Sequence, residues 1–238
     1  MTRMFSATLL ATGLLLAGTA AAQTTTVTFD DGWEGWSGPS GGGGATTIDA
    51  DGGNPGAHAH TVFNDFGITF STASNAAFLG DFSGDGNVTI RIDVKVDSIQ
   101  FEGSEVTRPF LVDFRSHALA QGGYPWTSAW FLFEEIGAGP GWVTYATTFD
   151  PASLDLPAGW GGYGAEDPVT FEPGLPPGVT FADVMANVDE LAFTTLQPGW
   201  FFGFTDFDVR IDNIRIERGA DLDTVFADGF ELPPQRND

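Results

Sequence analysis

Clustered acids are the clearest chemical feature of this 238-residue sequence, which contains 32 acidic residues, 9 basic residues and no cysteine. Calcium takes about six to eight oxygen ligands, supplied by carboxylates and by carbonyl groups on turns. Candidate ligands lie near both ends of the chain and in the turn "DADGGNPG": Asp30, Asp31, Asp49, Asp51 and Asp212. A structural calcium ion is one interpretation of these residues, and a solvated acidic turn is the other.

Two histidines in the segment "AHAH", His58 and His60, stand two residues apart. Successive side chains of a strand point to opposite faces, so both imidazoles would share one face and could hold zinc or iron together. Cupin-type metal enzymes need, in addition, a glutamate after such a pair and a distant histidine. Here the next acid is Asp65, and the third histidine, His117, comes far along the chain. A catalytic metal site is therefore not favoured.

Aromatic residues in glycine-rich segments suggest a second kind of site. Flat rings on loops can stack on the apolar face of a sugar. Trp160 and Tyr163 in "GWGGYG" are the best such pair, and Tyr124 and Trp126 in "GYPWTSAW" are further candidates. The competing interpretation is a position in the core, which the sequence favours for four of the tryptophans: Trp126, Trp130, Trp142 and Trp200.

Covalent catalysis has little support in this sequence. The chain has no cysteine nucleophile and only three histidines that could serve as a general base. Paired carboxylates can hydrolyse glycosides when they face each other across a cleft. Glu134 and Glu135 are adjacent, so on a strand they would point to opposite faces and could not form such a pair. Other acids could meet in space, which leaves a glycan hydrolase or lyase as an alternative.

The charge balance excludes one class of partner. The formal net charge is −23, and Lys95 is the only lysine. Such a surface repels the phosphates of nucleic acids and attracts cations, so we expect no nucleic-acid partner.

Residues 1–22 have the parts of a signal peptide: a basic start at Arg3, the apolar run "LLATGLLLAG", and small residues before a cleavage site at Gln23. This run is too short for a membrane span, and no later run reaches the roughly 18 apolar residues that a span needs. We therefore expect a protein that is secreted, periplasmic or on the surface of a Gram-negative bacterium. The expected domain covers 23–219, and 220–238 form a tail with the motif "VFADGFE".

Short apolar runs separated by Gly, Pro, Asn and Asp are typical of an all-β sandwich or barrel. The clearest strand is 87–99, whose apolar residues alternate with polar ones: Val88, Ile90, Ile92, Val94 and Val96. One short helix is expected within 180–188, beginning near Thr180 or Asp183. Gly and Pro are dense in 137–178, which predicts long loops.

The last predicted strand changes phase. Its apolar residues are odd-numbered up to Ile211 and even-numbered from Ile214 onwards. A strand of period two cannot change parity without an extra residue, so we predict a β-bulge at Asp212–Asn213. Asp212 then falls in phase with Ile214 and points inward, where its carboxylate needs a metal ion or backbone donors as partners.

Five segments in order resemble the laminin B (laminin IV-like) domain of secreted bacterial proteins: "FDDGWEGWS", "GGNPGAHAH", "AAFLGDFSGDGNVTIRIDV", "FADVMANVDELAF" and "IDNIRI". They span roughly residues 27–217. The resemblance implies a jelly-roll β-sandwich of two antiparallel sheets, similar to many carbohydrate-binding modules. It also implies that the first and last strands share a structural calcium ion, at Asp30 or Asp31 and at Asp212. The loop-rich part 137–178 departs from the family pattern.

The resemblance therefore predicts a secreted, non-catalytic binding or adhesion module, with an extracellular glycan or surface polymer as its partner and calcium as a stabilising ion. The predicted ligand-binding residues are Trp160, Tyr163, Tyr124 and Trp126. Two alternatives stay open at this point: the hydrolase or lyase described above, and a structural matrix protein without a small ligand.

Overall fold

The computed structural model describes residues 22–219, so the predicted signal peptide, apart from Ala22, and the tail 220–238 lie outside the described residues. One α-helix, α1 (Phe181–Met185), and one 3₁₀ turn (Ala76–Phe78) accompany sixteen strands. The strands are β1 (Gln23–Val27), β2 (Trp36–Ser37), β3 (Ser40–Gly41), β4 (Gly44–Asp49), β5 (His58–Asp65), β6 (Thr69–Thr72), β7 (Val88–Phe101), β8 (Ser104–Glu105), β9 (Arg108–Ser116), β10 (Thr127–Ile136), β11 (Val143–Phe149), β12 (Trp160–Tyr163), β13 (Ala165–Glu166), β14 (Pro173–Gly174), β15 (Glu190–Thr194) and β16 (Thr205–Arg218).

Two antiparallel sheets enclose the core. The eight-stranded sheet has the order β11–β7–β16–β5–β4–β3, with β1 also beside β16 and β8 beside β7. The six-stranded sheet has the order β12–β10–β9–β15–β6–β2, and β13 and β14 form a separate pair. If β5, β6, β7, β9, β10, β11, β15 and β16 are numbered from one to eight, the two sheets read 1-8-3-6 and 2-7-4-5. This is the strand order of a jelly roll, which confirms the predicted fold.

The core lies between the sheets and follows the alternation of the strands. In β7 the predicted apolar face, which runs from Val88 to Val96 at even positions, is buried, with Val96 the most exposed of the five at 6%. Phenylalanines from the six-stranded sheet meet this face, among them Phe110, Phe114 and Phe193. Burying such aromatic side chains stabilises the sandwich without any disulfide.

The predicted β-bulge is confirmed. The pairing of β16 with β7 shifts register between Asp212 and Arg215, and Asn213 has a φ of 49°, in the left-handed region. On its other edge, β16 pairs with β5 along 205–211 and with β1 along 214–218. The bulge therefore lies where one edge of the strand changes partner.

The short helix begins as predicted. Thr180 is its N-cap, and Asp183 closes a capping box in which each side chain bonds the other residue's backbone N–H. The buried residues Phe181 and Val184 attach α1 to the core. Within residues 22–219, no helix has the length and apolar character that crossing a membrane requires.

Candidate functional site

A polar row crosses the outer face of the six-stranded sheet. The strand register places Tyr163 of β12, Ser128 of β10, Arg115 of β9 and Glu190 of β15 side by side. Phe114, the neighbour of Arg115 in the chain, is part of the core. Because successive side chains alternate, this row must face away from the core.

Arg115 is the centre of the row, and its side chain is only 10% exposed. Its Nε donates to Oδ2 of Asp113 at 2.7 Å, and its Nη1 donates to Oε1 of Glu190 at 3.0 Å. The guanidinium carbon also lies 4.4 Å from the ring centre of Trp126. A planar guanidinium held by two carboxylates and an aromatic face has a fixed orientation. The floor of the site is therefore one cation between two anions.

Two buried oxygen atoms lie beside Arg115. Oδ1 of Asp113 and Oγ of Ser128 have no hydrogen-bond partner among the described residues. Burial raises the pKa of Asp113, and the charge of Arg115 opposes that rise together with the nearby donors of Arg115 and Ser128. Because buried polar atoms almost always have a partner, whether protein or solvent, the carboxylate of Asp113, which lines the cleft, is suited to a hydroxyl group of a bound molecule.

Aromatic rings line a cleft above this floor. The rings of Trp126 and Tyr163 are 5.8 Å apart, and Tyr124 stands edge-on to Tyr163 at 5.2 Å. Leu196 and Trp200, which follow β15, line the same cleft, whose volume is about 230 Å³. A pyranose ring has an apolar C–H face and polar hydroxyl edges, so it suits a cleft with flat rings above buried oxygen atoms.

Three of the four predicted ligand-binding residues therefore come together, but Trp160 does not join them. Trp160 and Tyr163 lie three residues apart on one strand, so their side chains point to opposite faces. The ring of Trp160 packs in the core, 4.9 Å from Phe149 and 5.0 Å from Phe181. The expected Trp160–Tyr163 pair is not formed, because residues 160–163 are a strand. The two glycines between the rings had suggested a loop.

The prediction that four tryptophans lie in the core was also wrong. The tryptophans packed in the core are Trp36 and Trp160, whereas four others lie outside that cluster: Trp126, Trp130, Trp142 and Trp200. Trp200 is 67% exposed. The indole of Trp130 covers Gly161, where a Cβ atom would come within 2.2 Å of the ring.

The charged floor was not predicted from the sequence. In β9 the core residues Val112 and Phe114 alternate with Asp113 and Arg115. An acid and a cation two residues apart on one strand face were a visible signal for this floor. The third member, Glu190, joins them through strand pairing 75 residues further along the chain.

A second cluster of acids lies where β16 bulges. Asp212 is fully buried, as predicted, and its two carboxylate oxygens accept hydrogen bonds from the backbone N–H groups of Asn54 at 2.6 Å and Asn213 at 2.7 Å. Asp93, its partner across the strand pair, accepts from the side-chain amides of the same two asparagines at 2.9 Å and 2.8 Å. Burial raises the pKa of Asp212 to about 6; the two backbone donors oppose the rise, and the charges of Asp93 and Asp30 add to it.

Asp30, in the exposed turn that follows β1, lies at the same place. Oδ1 of Asp30 accepts a hydrogen bond from the N–H of Ala57 at 2.9 Å, so Asp30 and Asp212 both hold the turn that precedes β5. Asp31 and Asp51 are exposed. Asp93 was not among the predicted ligands, because the alternation of β7 placed it on the solvated face, where the turn in fact covers it.

The turn residue Gly53 shows how tightly oxygen atoms converge here. A Cβ atom at Gly53 would lie 2.4 Å from the carbonyl oxygen of Ala57, 2.6 Å from that of Gly56 and 2.8 Å from Oδ2 of Asp212. Carboxylate and carbonyl oxygens are the ligands that calcium prefers. The donor atoms around Gly53 are therefore of the type that calcium takes.

Comparisons with known proteins add the following. No protein-family model matches this sequence, and no curated protein matches it. A family 11 carbohydrate-binding module from Clostridium thermocellum, in complex with a β-1,3-1,4-mixed-linked tetrasaccharide, is similar with 17% identity over 85% of this chain and 98% of that chain, and a TM-score of 0.47. A xylan-binding domain from carbohydrate-binding family 22 is similar with 12% identity over 86% of this chain and 97% of that chain, and a TM-score of 0.43.

A two-module fragment of a Clostridium thermocellum endo-1,4-β-D-xylanase, complexed with xylohexaose, is similar over 84% of this chain with 14% identity and a TM-score of 0.45. This chain spans only 29% of that fragment. All three likenesses concern the jelly-roll architecture, which the strand order establishes independently.

Proposed function

We propose that this protein is a secreted, non-catalytic binding module whose ligand is an extracellular glycan. One observation carries the proposal: the rings of Trp126 and Tyr163 line a cleft whose floor is the buried pair Asp113–Arg115, with one carboxylate oxygen of Asp113 left without a partner. Rings bind the apolar face of a sugar, and buried polar atoms select its hydroxyl groups.

The charges of the site favour an uncharged glycan. Arg115 is already shared by two carboxylates, Asp113 and Glu190, so it has no surplus positive charge for a uronate or sulfate group. The formal net charge of −23 also repels polyanions at long range. A neutral polysaccharide therefore fits both the floor of the cleft and the surface around it.

The site supports binding better than hydrolysis. Hydrolysis requires two carboxyl groups on either side of the bond that is cleaved. Among the described residues that line the cleft, Asp113 is the only acid, and Glu190 reaches the site through Arg115. A matrix protein without a ligand would not need buried oxygen atoms that lack partners.

The calcium ion, the laminin B relationship and the extracellular location belong to the same proposal. The oxygen atoms around Gly53 support a structural calcium ion held at Asp30 and Asp212, with Asp93 as a third carboxylate. The five segments from Phe29 to Ile216 support a laminin B-like origin, and the leader-like residues 1–22 support export. Thermal melting of the protein in calcium and in EDTA tests whether the ion is bound. An identical melting temperature in both would contradict a structural calcium ion.

The decisive experiment measures glycan binding by the wild type, Trp126→Ala and Tyr163→Ala. The panel holds neutral oligosaccharides, including xylohexaose and a mixed-linked β-1,3-1,4 tetrasaccharide, together with anionic glycans as a contrast. We expect a neutral glycan to bind and each variant to weaken that binding at least about tenfold, or roughly 1.4 kcal/mol. Circular dichroism confirms that the variants are folded.

Trp33→Ala is the matched control, because Trp33 is a partly exposed tryptophan that does not line the cleft. It should leave glycan affinity unchanged. Absence of binding across the panel, or wild-type affinity in both cleft variants, would overturn the proposal. New reducing ends in the incubated glycans would instead establish the hydrolase alternative.

A further inference from the structure

The outer face of the eight-stranded sheet carries a cluster that neither the glycan site nor the calcium site uses. Asp49 is the last residue of β4, and His58 and His60 lie in β5, with Asp49 and His58 directly paired. Oδ2 of Asp49 is 2.9 Å from Nδ1 of His60 and 3.8 Å from Nε2 of His58. One potential ligand atom from each residue lies within 4.8 Å of the other two.

His58 is buried without a partner. It is 2% exposed, and neither ring nitrogen has a hydrogen-bond partner among residues 22–219. Trp142 covers the imidazole edge-on, with ring centres 5.8 Å apart. A buried polar ring that makes no hydrogen bond is rare and calls for a ligand or solvent. Burial also lowers the pKa of His58, which favours the neutral ring that a metal ion binds.

His60 lies between two carboxylates. Its Nδ1 is 2.9 Å from Oδ2 of Asp49, and its Nε2 is 2.8 Å from Oδ1 of Asp208 in β16. A neutral imidazole has one N–H and can donate to only one of these oxygens. If Nε2 donates to Asp208, the Nδ1 lone pair faces the carboxylate of Asp49, and a metal ion that both atoms bind would replace this repulsion with two bonds.

We propose that Asp49, His58 and His60 bind one Zn²⁺ ion, leaving a fourth position for water. Two imidazoles and one carboxylate form a mixed nitrogen–oxygen set that suits zinc, whereas calcium prefers oxygen alone. Asp208 is a positioning residue: it holds the far nitrogen of His60 and so directs Nδ1 toward the ion.

The neighbouring charges permit a cation. Arg210 forms ion pairs with Asp97 and Asp208, and Lys95 lies 3.3 Å from Asp97. The two basic side chains whose charges act on His58, Arg210 and Lys95, are therefore already paired with carboxylates. The carboxylate of Asp49 remains as the net charge that the metal ion neutralises.

The position of the ion suggests its structural consequence. Asp49 and His58 are the two ends of the loop whose residues Asn54 and Ala57 bond Asp212 and Asp30. A zinc ion at the base of this loop would fasten β4 to β5 and hold the loop in register. The zinc site and the calcium site thus lie on one loop but use different ligand atoms.

The test uses the full chain, stripped of metal with a chelator and returned to buffer with excess calcium so that the oxygen site is filled. Zn²⁺ is then titrated by calorimetry, and Co²⁺ by visible absorption. We expect one Zn²⁺ per chain and the d–d bands of a low-symmetry Co²⁺ complex with nitrogen ligands. X-ray absorption at the zinc edge should show two imidazoles at about 2.0–2.1 Å.

Substitutions test which residues bind the Zn²⁺ ion. His60→Ala and Asp49→Asn alter partly exposed residues and should abolish stoichiometric binding, whereas His117→Ala, which removes the exposed third histidine, should retain it. Asp208→Asn should weaken Zn²⁺ binding about 10- to 100-fold without moving the melting temperature of the metal-free protein.

Unaltered Zn²⁺ affinity in His60→Ala, no bound Zn²⁺ in the wild type, or a zinc-edge spectrum with fewer than two imidazoles would overturn the site. The zinc-edge measurement needs no variant, so a misfolded mutant does not obscure the result. Glycan binding plays no part in it, and the two proposals therefore succeed or fail separately.

Discussion

On the outer face of the six-stranded sheet, the carboxylates of Asp113 and Glu190 share the guanidinium of Arg115. At the bulge of the eight-stranded sheet, Asp93 and Asp212 are instead held by N–H groups of Asn54 and Asn213. Amide groups orient a carboxylate but do not neutralise it. The first region is therefore balanced from within, whereas the second retains charge that a cation from solution can neutralise.

Removing the internal cation should produce the largest effect. Arg115→Met leaves two carboxylates in the floor without their counter-charge, which costs about 3–5 kcal/mol in the free energy of unfolding at pH 7. Urea denaturation measures this loss. Adding Asp113→Asn and Glu190→Gln to the same chain should recover much of it, because no uncompensated charge then remains.

Arg91→Met is the matched control for this comparison. The Nε of Arg91 is 3.7 Å from Glu217, and both side chains are substantially exposed. Such pairs contribute about 0–1 kcal/mol. An equal loss in Arg91→Met and Arg115→Met would show that solvent screens the floor of the cleft, contrary to its burial.

In the second region, Asp212 should make the free energy of unfolding depend on pH. The pKa of Asp212 is raised to about 6, above the value of about 4 expected in the unfolded chain, so the folded state holds the proton more tightly. This stabilisation is fully present below about pH 4 and is lost as the pH rises to about 6, by at most about 3 kcal/mol.

We therefore expect the stability of the wild type in EDTA to fall relative to that of Asp212→Asn between about pH 4 and pH 6. Calcium should restore the wild type above pH 6 and have no effect below pH 4, since it binds the ionised carboxylate. Denaturation at a series of pH values measures both curves. Parallel curves for the two proteins, with and without calcium, would contradict this account of the bulge.

The smallest effect on stability is expected at the rim of the cleft. Trp200 is 67% exposed, so Trp200→Ala should change the free energy of unfolding by no more than about 0.5 kcal/mol. It should nevertheless weaken binding of the glycan that the panel identifies. Trp160→Ala is the contrasting control, because it removes a core ring and should cost about 3 kcal/mol. Similar losses in the two variants would remove the distinction between rim and core.

Local patterns predicted the features that depend on neighbouring residues. The parity change between Ile211 and Ile214 predicted the bulge, and with it the inward carboxylate of Asp212. The spacing of Thr180 and Asp183 predicted the start of α1. The bulge and the helix start each depend on the backbone geometry of a few consecutive residues, and the order of those residues in the sequence predicts that geometry.

The same patterns misplaced the tryptophans. Trp160 and Tyr163 looked like loop residues because glycines separate them, yet register with β10 makes this segment a strand and places the two rings on opposite faces. Trp200 was predicted to lie in the core of the sandwich, yet it is exposed. Whether a large ring is covered depends on which distant segments pack over it. The local alternation of polar and apolar residues contains no information about those segments.

The alternation of polar and apolar residues determined that this chain forms strands with one buried face, and its change of parity determined that Asp212 points inward. Only the tertiary structure decided that Arg115 lies beside Glu190, that Asp93 lies beneath Asn54, and that His60 lies between Asp49 and Asp208. The physical reason is the jelly-roll topology, in which sheet neighbours come from distant parts of the chain. Alternation fixes the face on which a side chain lies, whereas long-range strand register chooses its partners.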